Sequence, residues 1–337
     1  MDTIHQFYSG KHVAVLGGNG MLGSYIVDLL VEAGATVIVQ DINPCHYRPT
    51  PPNVEEDLSD VTHGFGGGTV AHGWFDLIIN CAAKVTGIVW NEKHHCDMAL
   101  ANIGLTVGPL KECIDFRFER YVYLSSACVY PAEADVPTEE HWGWVGDPEP
   151  TNYGYGFAKR AGEKLCMLAH EEHPWFKPLV LRPSNMYSPR ENWDDPNAHV
   201  IPRTIARVLS GENPIVMRGT GKALRSFLHA REAAEGVLLA AMTDHVGILN
   251  LPAAAPGISI YNLASMICDV ADSNAVVRFS GEGSDGYPRR LSSNAELDSV
   301  LANHGLSWTP KTSLRSGLTE TIQGCKNWFE KKSNATP

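Results

Sequence analysis

One glycine-rich segment constrains the fold of this chain more than any other feature. The segment Gly17-Gly18-Asn19-Gly20-Met21-Leu22-Gly23 lies between an apolar run at residues 13–16 and a stretch with apolar residues at helical spacing at residues 21–33. In a turn from a strand to a helix, one glycine allows the tight bend, a second allows close approach to a pyrophosphate, and a third lets helix and strand pack. The segment therefore predicts a dinucleotide-binding strand–turn–helix unit.

Short apolar runs alternate with helical patterns through the first half of the chain. Predicted strands cover residues 13–16, 36–40, 77–80, 121–124 and 178–181, and predicted helices cover residues 21–33, 99–113 and 155–170. This alternation is typical of a doubly wound parallel sheet with helices on both faces. The predicted fold class is therefore a Rossmann-type α/β fold.

The pattern loosens in the second half of the chain, where prolines punctuate short segments. We predict a dinucleotide-binding domain over residues 1–182 and a smaller, mixed lobe, mainly for the substrate, over residues 183–337. Predicted strands at residues 227–229 and 248–251 indicate that later segments, near residues 225–251, return to the first domain.

Composition narrows the class of partner and the compartment. The net charge of −11 disfavours nucleic acid or an anionic membrane as a partner. No stretch approaches the ~18 apolar residues of a membrane span, and the polar N-terminus lacks the pattern of a signal peptide. The eight cysteines are scattered without a CxxC pair, which indicates reduced thiols rather than disulfides or a metal site. We expect a cytoplasmic protein without a bound metal, and a surface loop at the glycine cluster of residues 64–68.

Polar residues after the second predicted strand indicate which dinucleotide binds. Asp41 follows that strand, 18 residues beyond Gly23. A carboxylate at this place accepts hydrogen bonds from the adenosine ribose hydroxyls and repels a 2′-phosphate, which favours NAD over NADP. Asp57 and Leu58 either frame the adenine or form a solvated acidic turn.

Four reactive side chains follow the predicted strand at residues 121–124. Ser126 and Cys128 come directly after it. Tyr155 precedes Lys159 by four residues, which places both on one face of a helix. We expect the Lys159 ammonium to lower the pKa of the Tyr155 phenol, which then acts as acid or base while Ser126 hydrogen-bonds the same substrate oxygen. Cys128 adds a second reactive group that hydride transfer by itself does not need.

These motifs resemble those of the extended short-chain dehydrogenase/reductase family that acts on nucleotide sugars. Within that family they are most similar to the GDP-L-fucose synthases, and next to the GDP-mannose 3,5-epimerases. The resemblance spans nearly the whole chain. The segments that carry it are Ala82-Ala83-Lys84-Val85-Thr86-Gly87-Ile88, Ser125-Ser126-Ala127-Cys128-Val129-Tyr130-Pro131, Glu149-Pro150-Thr151-Asn152, Asn197-Ala198-His199-Val200-Ile201-Pro202, Arg225-Ser226-Phe227-Leu228-His229 and Asp285-Gly286-Tyr287-Pro288-Arg289-Arg290.

The resemblance implies two kinds of chemistry on a nucleotide-linked sugar, with GDP as the expected nucleotide. It assigns Ser126, Tyr155 and Lys159 to acid–base work at the C4 oxygen. It assigns Cys128 and His199 to epimerisation beside a C4 ketone, where one group removes a proton and another returns it on the opposite face. The remaining residues that it places at the cofactor are Ala82, Ala83 and Lys84, and those at the substrate are Val85, Asn185, His199, Val200, Arg218, Arg225 and Arg290.

Several residues depart from the fucose-synthase pattern. Asn19 stands where many of those enzymes carry an arginine for the NADP 2′-phosphate, and further departures at Thr86, Ser188 and Arg218 cluster around the cofactor and sugar pockets. Asn19 together with Asp41 favours an epimerase that retains NAD, oxidises C4 transiently and reduces it again. One alternative is a synthase-like 3,5-epimerase/4-reductase that consumes free NAD(P)H, and another is a C4 epimerase in which Cys128 is idle.

A non-catalytic NAD-sensing module is the contrasting class of function. Relatives of that type typically lack the tyrosine or the lysine, whereas Tyr155 and Lys159 are both present here. The family resemblance also implies a homodimer formed through the helices predicted at residues 99–113 and 155–170.

Overall fold

The computed structural model describes residues 2–47, 49–63, 75–253 and 256–335. The glycine cluster at residues 64–68 lies outside them. The helices are α1 (Asp2–Tyr8), α2 (Met21–Glu32), α3 (Ile88–Asn91), α4 (His95–Asp115), α5 (Tyr153–Glu172), α6 (Val200–Leu209), α7 (Ala230–Ala241), α8 (Ile260–Val270), α9 (Ala295–Asn303) and α10 (Leu314–Ala335). The strands are β1 (His12–Leu16), β2 (Thr36–Gln40), β3 (Val54–Asp57), β4 (Leu77–Asn80), β5 (Arg120–Leu124), β6 (Lys177–Pro183), β7 (Asn185–Tyr187), β8 (Ile215–Met217), β9 (Leu224–Arg225), β10 (Phe227–His229), β11 (Gly247–Leu251), β12 (Ile258–Ser259), β13 (Val277–Phe279) and β14 (Arg289–Arg290).

Seven strands of the described chain form a parallel main sheet in the order β11-β6-β5-β4-β1-β2-β3. The chain starts at β1, moves outward to β3, and then crosses to β4 on the other side, which is the doubly wound arrangement. All four residues of β4 are buried, as expected for a parallel strand covered by helices on both faces. The predicted Rossmann-type α/β fold class is confirmed.

Two hydrophobic clusters cover the two faces of this sheet. One contains Val15 of β1 together with side chains of α2 and α7, such as Ile26 and Val237. The other contains Ala14 of the same strand together with side chains of α4 and α5, such as Leu110. Because successive side chains of a strand point to opposite faces, β1 contributes to both cores. Helix α5 therefore lies over one face and extends to the edge where β5 ends.

Two helices extend beyond the bounds that the sequence indicated. The helix predicted at residues 99–113 is α4, and the helix predicted at residues 155–170 is α5, and each begins and ends two to four residues further out. Their first turns hold polar or small residues such as Asp97, whose charge suits the positive end of the helix dipole. Apolar periodicity detects only the packed turns and misses these ends.

The second half of the described chain adds three small sheets and a third core. That core packs α6, α8 and α10 together through buried residues such as Ile205 and Leu318. Strand β11 pairs with β6 at the edge of the main sheet, whereas β10 pairs with β7 in a separate ladder. Strands β9 and β14 pair in parallel with Arg225 opposite Arg290. The boundary between residues 182 and 183 stays a prediction.

No helix within the described ranges is both long enough and apolar enough to cross a lipid bilayer.

Candidate active site

The carboxyl-terminal edge of the main sheet collects the predicted cofactor and redox residues. The glycine-rich turn follows β1, Asp41 follows β2, and Asp57 ends β3. Ala82 and Ser126 come two residues after β4 and β5. Ligands of open parallel sheets bind at this edge, where the strand order reverses, and the reversal lies here between β1 and β4. The fold therefore brings motifs that are distant in sequence to one side of the sheet.

Steric contacts require glycine in the turn after β1. Gly17 has a φ of +70°, and a Cβ atom there would lie 2.8 Å from the amide nitrogen of Ala82. A Cβ atom on Gly23 would lie 2.1 Å from the carbonyl oxygen of Gly17. Helix α2 begins at Met21, directly after the N-cap Gly20, and the first amides of a helix are suited to bind an anion. The turn thus fits a dinucleotide pyrophosphate held by backbone amides.

A group of hydrogen-bond acceptors lies beside the turn. The Asp41 carboxylate accepts the backbone N–H groups of Asn19 and Asn43, each at 3.0 Å. The Asn19 side chain donates to the Asn43 carbonyl at 2.8 Å, and within the described chain its buried Oδ1 atom has no hydrogen-bond partner. Burial raises the pKa of Asp41, and the backbone hydrogen bonds oppose that rise. Acceptors of this kind suit ribose hydroxyls and offer no donor to an additional phosphate.

Asp57 and Leu58 lie next to this group of acceptors. The Asp57 carbonyl accepts the N–H of Asp41 at 3.0 Å, and the Leu58 side chain is 53% exposed. An exposed apolar side chain at this edge suits the face of an adenine ring. The role of Asp57 and Leu58 in framing the adenine stays a prediction.

Two buried asparagines hold the segment after β4. The N–H of Ala82 donates to Oδ1 of Asn80 at 3.0 Å. The N–H of Lys84 donates to Oδ1 of Asn102 at 3.1 Å, and the Asn102 amide returns a hydrogen bond to the Lys84 carbonyl at 3.1 Å. The backbone around Ala83 is therefore fixed beside the glycine-rich turn. Sequence reasoning missed both asparagines, although a polar residue within an apolar strand or helix face is a usable signal.

Ser126, Tyr155 and Lys159 form a connected group where β5 ends. Ser126 precedes a short 3₁₀ helix, and its hydroxyl accepts the N–H of Cys128 at 3.1 Å. The same hydroxyl hydrogen-bonds the Tyr155 phenol. The Lys159 ammonium lies 5.9 Å from the centre of the Tyr155 ring and donates to the carbonyl of Leu124 at 2.8 Å. Helical spacing and the strand end together bring these three side chains to one point.

Burial outweighs nearby charges at the Tyr155 phenol. It raises the pKa of Tyr155, and Cys128 adds to the rise. The hydrogen bond with Ser126 and the charge of Arg290 lower that pKa. The sequence predicted that Lys159 lowers the pKa of Tyr155, but in the structure the charge that does so belongs to Arg290. The physical reason is that the Lys159 ammonium is directed toward a backbone carbonyl.

A buried charge network surrounds Lys159. Burial lowers the pKa of Lys159 to about 8, while Cys81 and Glu163 oppose that change. Glu163, one turn further along α5, forms an ion pair with Arg182 at 2.6 Å, and both side chains are fully buried. The Ser125 hydroxyl also donates to Glu163. The network joins β5, β6 and α5 beneath the reactive groups, and a buried pair of this kind is costly to break.

Arg290 reaches Cys128 from the second half of the chain. Its Nη1 atom donates to Sγ of Cys128 at 3.3 Å, although 162 positions separate the two residues. Its Nη2 atom lies 4.0 Å from Oε2 of Glu149. The family resemblance places Arg290 at the nucleotide, and the structure brings its guanidinium to the thiol. Sequence reasoning had no signal for this contact because it depends on the pairing of β9 with β14.

Arg225 is buried beside Arg290. Its guanidinium donates to three backbone carbonyls, those of Leu224, Tyr287 and Asp285. Burial lowers the pKa of Arg225 to about 9, and the like charge of Arg290 adds to that lowering. Arg225 therefore attaches the segment before β14 to β9.

His199 lies at the N-cap of α6 and is exposed to solvent. Desolvation of the His199 ring by the surrounding protein atoms lowers the pKa of His199, and the charge of Arg290 lowers it further. The charge of Asp195 opposes this change. The loop before His199 contacts the segment after β4, because the N–H of Gly87 donates to the Asn197 carbonyl at 2.6 Å. The fold thus connects the segment of Val85 to that of His199 and Val200.

Comparison with known proteins assigns a family. The family described as "NAD dependent epimerase/dehydratase family" matches residues 13–251. This chain belongs to that family. It is an extended short-chain dehydrogenase/reductase of the nucleotide-sugar epimerase and reductase type, and therefore an enzyme. The resemblance carried by the motifs is confirmed.

Individual relatives of this epimerase-family chain align over nearly its whole length. GDP-L-fucose synthase of Escherichia coli (strain K12) is 30% identical over 95% of this chain and 97% of the relative. GDP-L-fucose synthase 1 of Arabidopsis thaliana is 29% identical over 95% of this chain and 93% of the relative. A solved epimerase of Methanothermobacter thermautotrophicus has a TM-score of 0.87 at 23% identity, covering 99% of this chain and 97% of that chain. A GDP-L-fucose synthetase from Naegleria fowleri bound to NADP has a TM-score of 0.72 at 22% identity, covering 96% of both chains.

Two predicted substrate residues in the second half of the chain, Asn185 and Arg218, already have partners within the protein. Asn185, the first residue of β7, donates to the carbonyl of Ser226 at 3.1 Å. Arg218 is partly exposed and forms an ion pair with Glu92 at 2.6 Å. Both roles in substrate binding stay predictions, and Arg218 would have to share its charge with Glu92.

Replacing Gly23 with alanine tests the turn of this epimerase-family chain. Because the new Cβ would lie 2.1 Å from the carbonyl of Gly17, we expect the free energy of unfolding to fall by about 1–3 kcal/mol and cofactor binding to weaken. Chemical denaturation and calorimetry measure both. Gly20→Ala is the matched control, since its Cβ would lie 3.3 Å from the same oxygen. Equal behaviour of the two variants would contradict this account.

Proposed function

We propose that this chain is an NAD-dependent epimerase of a nucleotide-linked sugar, with GDP as the nucleotide. It oxidises C4 of the sugar transiently, exchanges the proton on a neighbouring carbon, C3 or C5, and reduces C4 again. One observation carries the proposal: the Cys128 thiol, in contact with Arg290, lies beside the Ser126–Tyr155 pair. Redox chemistry at C4 and proton transfer at its neighbour thus share one site.

The redox half uses three side chains. Ser126 and Tyr155 hydrogen-bond each other and would both contact the C4 oxygen. The raised pKa of Tyr155 keeps a proton on the phenol for donation to that oxygen, and the hydrogen bond with Ser126 favours the phenolate that accepts it back. The Lys159 ammonium lies 5.9 Å from the centre of the Tyr155 ring and is the third member of the group. When bound, the nicotinamide cofactor supplies a hydride acceptor and donor.

The epimerisation half uses Cys128 and His199. A ketone at C4 acidifies the protons on the neighbouring carbons, so a base on one face forms an enolate and an acid on the other face returns a proton. We assign the base to Cys128 and the acid to His199. A histidine can donate a proton near neutral pH, and the exposure of His199 lets it exchange protons with water.

The nucleotide-sugar would occupy the side of the site formed by the second half of the chain. Arg225 and Arg290 are the candidate phosphate residues, because guanidinium groups bind phosphate through paired donors. Val85, Asn185, Val200 and Arg218 are the candidate sugar and nucleotide contacts. GDP is proposed because the similar curated proteins are named GDP-L-fucose synthases.

Proposed NAD selectivity rests on Asp41 and Asn19. We expect Asp41→Asn to reduce the preference for NAD over NADP about tenfold or more, since like charges in contact cost several kcal/mol. Calorimetry on protein stripped of cofactor gives both dissociation constants. Asp57→Asn, at the end of the adjacent strand, should leave the ratio unchanged. Tighter binding of NADP than of NAD by the unaltered protein would overturn this choice.

Cofactor release and isotope exchange test the proposed reaction. The purified protein is denatured and the released NAD is measured, and the native protein is then incubated with GDP-mannose in deuterated water. Stoichiometric NAD and deuterium in the GDP-hexose, without net cofactor turnover, are expected. Deuterium-free sugar or cofactor-free protein would contradict the proposal.

A synthase-like 3,5-epimerase/4-reductase is the second candidate, favoured by the names of the curated relatives. Its test is the same assay with GDP-4-keto-6-deoxymannose and added NADH or NADPH. Consumption of the added cofactor with this keto sugar alone would replace the first candidate with the second.

We propose that the protein is cytoplasmic and forms a homodimer through α4 and α5. Large apolar side chains are exposed on these helices, among them Leu100, Val107, Phe157 and Leu168, and such patches mark interaction surfaces. We expect Leu100→Glu to yield monomers in light scattering. Val276→Glu, at an exposed apolar position in the second half of the chain, should remain dimeric. A monomeric unaltered protein would refute the dimer.

A further inference from the structure

We propose that Glu149 is a positioning residue, which holds Arg290 against Cys128 and thereby sets up the epimerisation step. The inference rests on the proposed function, and it adds a role for a residue that the redox and epimerisation assignments do not use. Glu149 belongs to the segment Glu149-Pro150-Thr151-Asn152, which leads into α5.

The Glu149 carboxylate is buried and held in one orientation. Glu149 is only 3% exposed to solvent. Its Oε1 atom accepts the N–H of Thr151 at 2.8 Å and the Thr151 hydroxyl at 2.6 Å. Its Oε2 atom accepts the amide of Asn152 at 3.2 Å. These donors leave Oε2 facing Arg290 at 4.0 Å, so the negative charge has a defined place.

Charge balance explains why Arg290 needs this partner. Arg225 and Arg290 are register partners on β9 and β14, they are 9% and 8% exposed, and like charges so placed repel each other. Arg225 is held by backbone carbonyls. Arg290 has a buried Nε atom with no hydrogen-bond partner in the described chain. Without Glu149, repulsion from Arg225 would favour movement of the Arg290 guanidinium away from the pair.

Arg290 then acts directly on the sulfur atom. Nη2 faces Glu149 while Nη1 donates to Sγ of Cys128 at 3.3 Å. A guanidinium in that place stabilises the negative charge left on sulfur when the thiol loses its proton. The thiolate can then take the proton from the carbon beside the C4 ketone, which leaves an enolate, and His199 returns a proton to that carbon.

Iodoacetamide and isotope exchange test Glu149 in the holoenzyme. In Glu149→Gln, which keeps the shape and removes the charge, alkylation of Cys128 should slow about tenfold, since the thiolate is the reacting form. Deuterium exchange into GDP-mannose should fall about a hundredfold through loss of alignment, while reduction of the bound cofactor stays within about twofold of the unaltered protein. Peptide mass spectrometry measures the alkylation of Cys128, NMR measures the deuterium exchange, and nicotinamide absorbance measures the reduction of the bound cofactor.

Control variants separate positioning from folding and from failure of the proposed function. Glu140→Gln removes a partly buried carboxylate that contacts Asn250 instead, and it should change none of the three quantities. Thr151→Val keeps the charge but removes one donor to Glu149, so alkylation should slow about threefold, which also serves if Glu149→Gln does not fold. Equal alkylation rates in Glu149→Gln and the unaltered protein would overturn the positioning role. Absence of exchange in the unaltered protein would overturn the proposed function, and the alkylation rates would still decide the role of Glu149.

Discussion

Replacing Tyr155 with phenylalanine is expected to lower kcat for oxidation and reduction at C4 about a thousandfold, within the usual range for loss of a positioned acid–base group. The phenol is hydrogen-bonded to Ser126, and burial raises its pKa. Phenylalanine keeps the ring and removes the proton carrier, so substrate binding should change little. Stopped-flow absorbance of the bound nicotinamide after mixing with GDP-mannose measures the rate.

The matched control for this variant is Tyr153→Phe. Tyr153 lies two residues earlier on α5, where its ring is partly exposed and stacks on Phe157 at 6.2 Å between ring centres. It should retain the rate of the unaltered protein. If Tyr155→Phe kept more than about a tenth of the original rate, the phenol would not be the group that carries the proton.

Replacing Cys128 with serine should separate the two halves of the reaction. We expect deuterium exchange into the sugar to fall about a thousandfold, because a serine hydroxyl is a far weaker acid than a thiol and rarely forms the basic anion. Reduction of the bound cofactor should continue within about twofold, since Ser126, Tyr155 and Lys159 are unchanged. NMR of the recovered sugar and nicotinamide absorbance give the two rates.

A second cysteine provides the control for Cys128→Ser. Cys96 is an exposed thiol in the first turn of α4, and Cys96→Ser should change neither rate. If Cys128→Ser lost both rates together, the thiol would serve the structure of the site. If it lost neither, the chain would be a C4 epimerase in which Cys128 is idle.

Local sequence spacing was sufficient to predict the parts of the site that depend on neighbouring residues. Glycine at Gly23 reflects a backbone contact with Gly17 within the same turn. The spacing of four positions from Tyr155 to Lys159 corresponds to about one helical turn. Alternating strands and helices predicted the doubly wound sheet, and such a sheet places the residues after its strands at one edge.

Local spacing did not predict contacts between residues that are far apart in the sequence. The segment that contains Glu149 was recognised as a motif, but nothing in its spacing related it to Arg290. The buried pair of Glu163 and Arg182 was missed for the same reason, because no spacing or motif relates one residue to the other. Which charges meet in a core depends on how sheets and helices pack, and single-sequence patterns do not contain that information.

The sequence by itself determined the cofactor turn, the fold class and the placing of Tyr155 and Lys159 on one face of a helix, since bond geometry and helical repeat fix such features over a few residues. Only the tertiary structure decided that Arg290 faces the Cys128 thiol and that Glu149 lies behind it. That arrangement depends on the parallel pairing of β9 with β14, because β14 carries Arg290, which is 162 positions from Cys128 in the sequence. The energy of bringing buried charges together is set by their distances in the fold, and those distances exist only after the chain has packed.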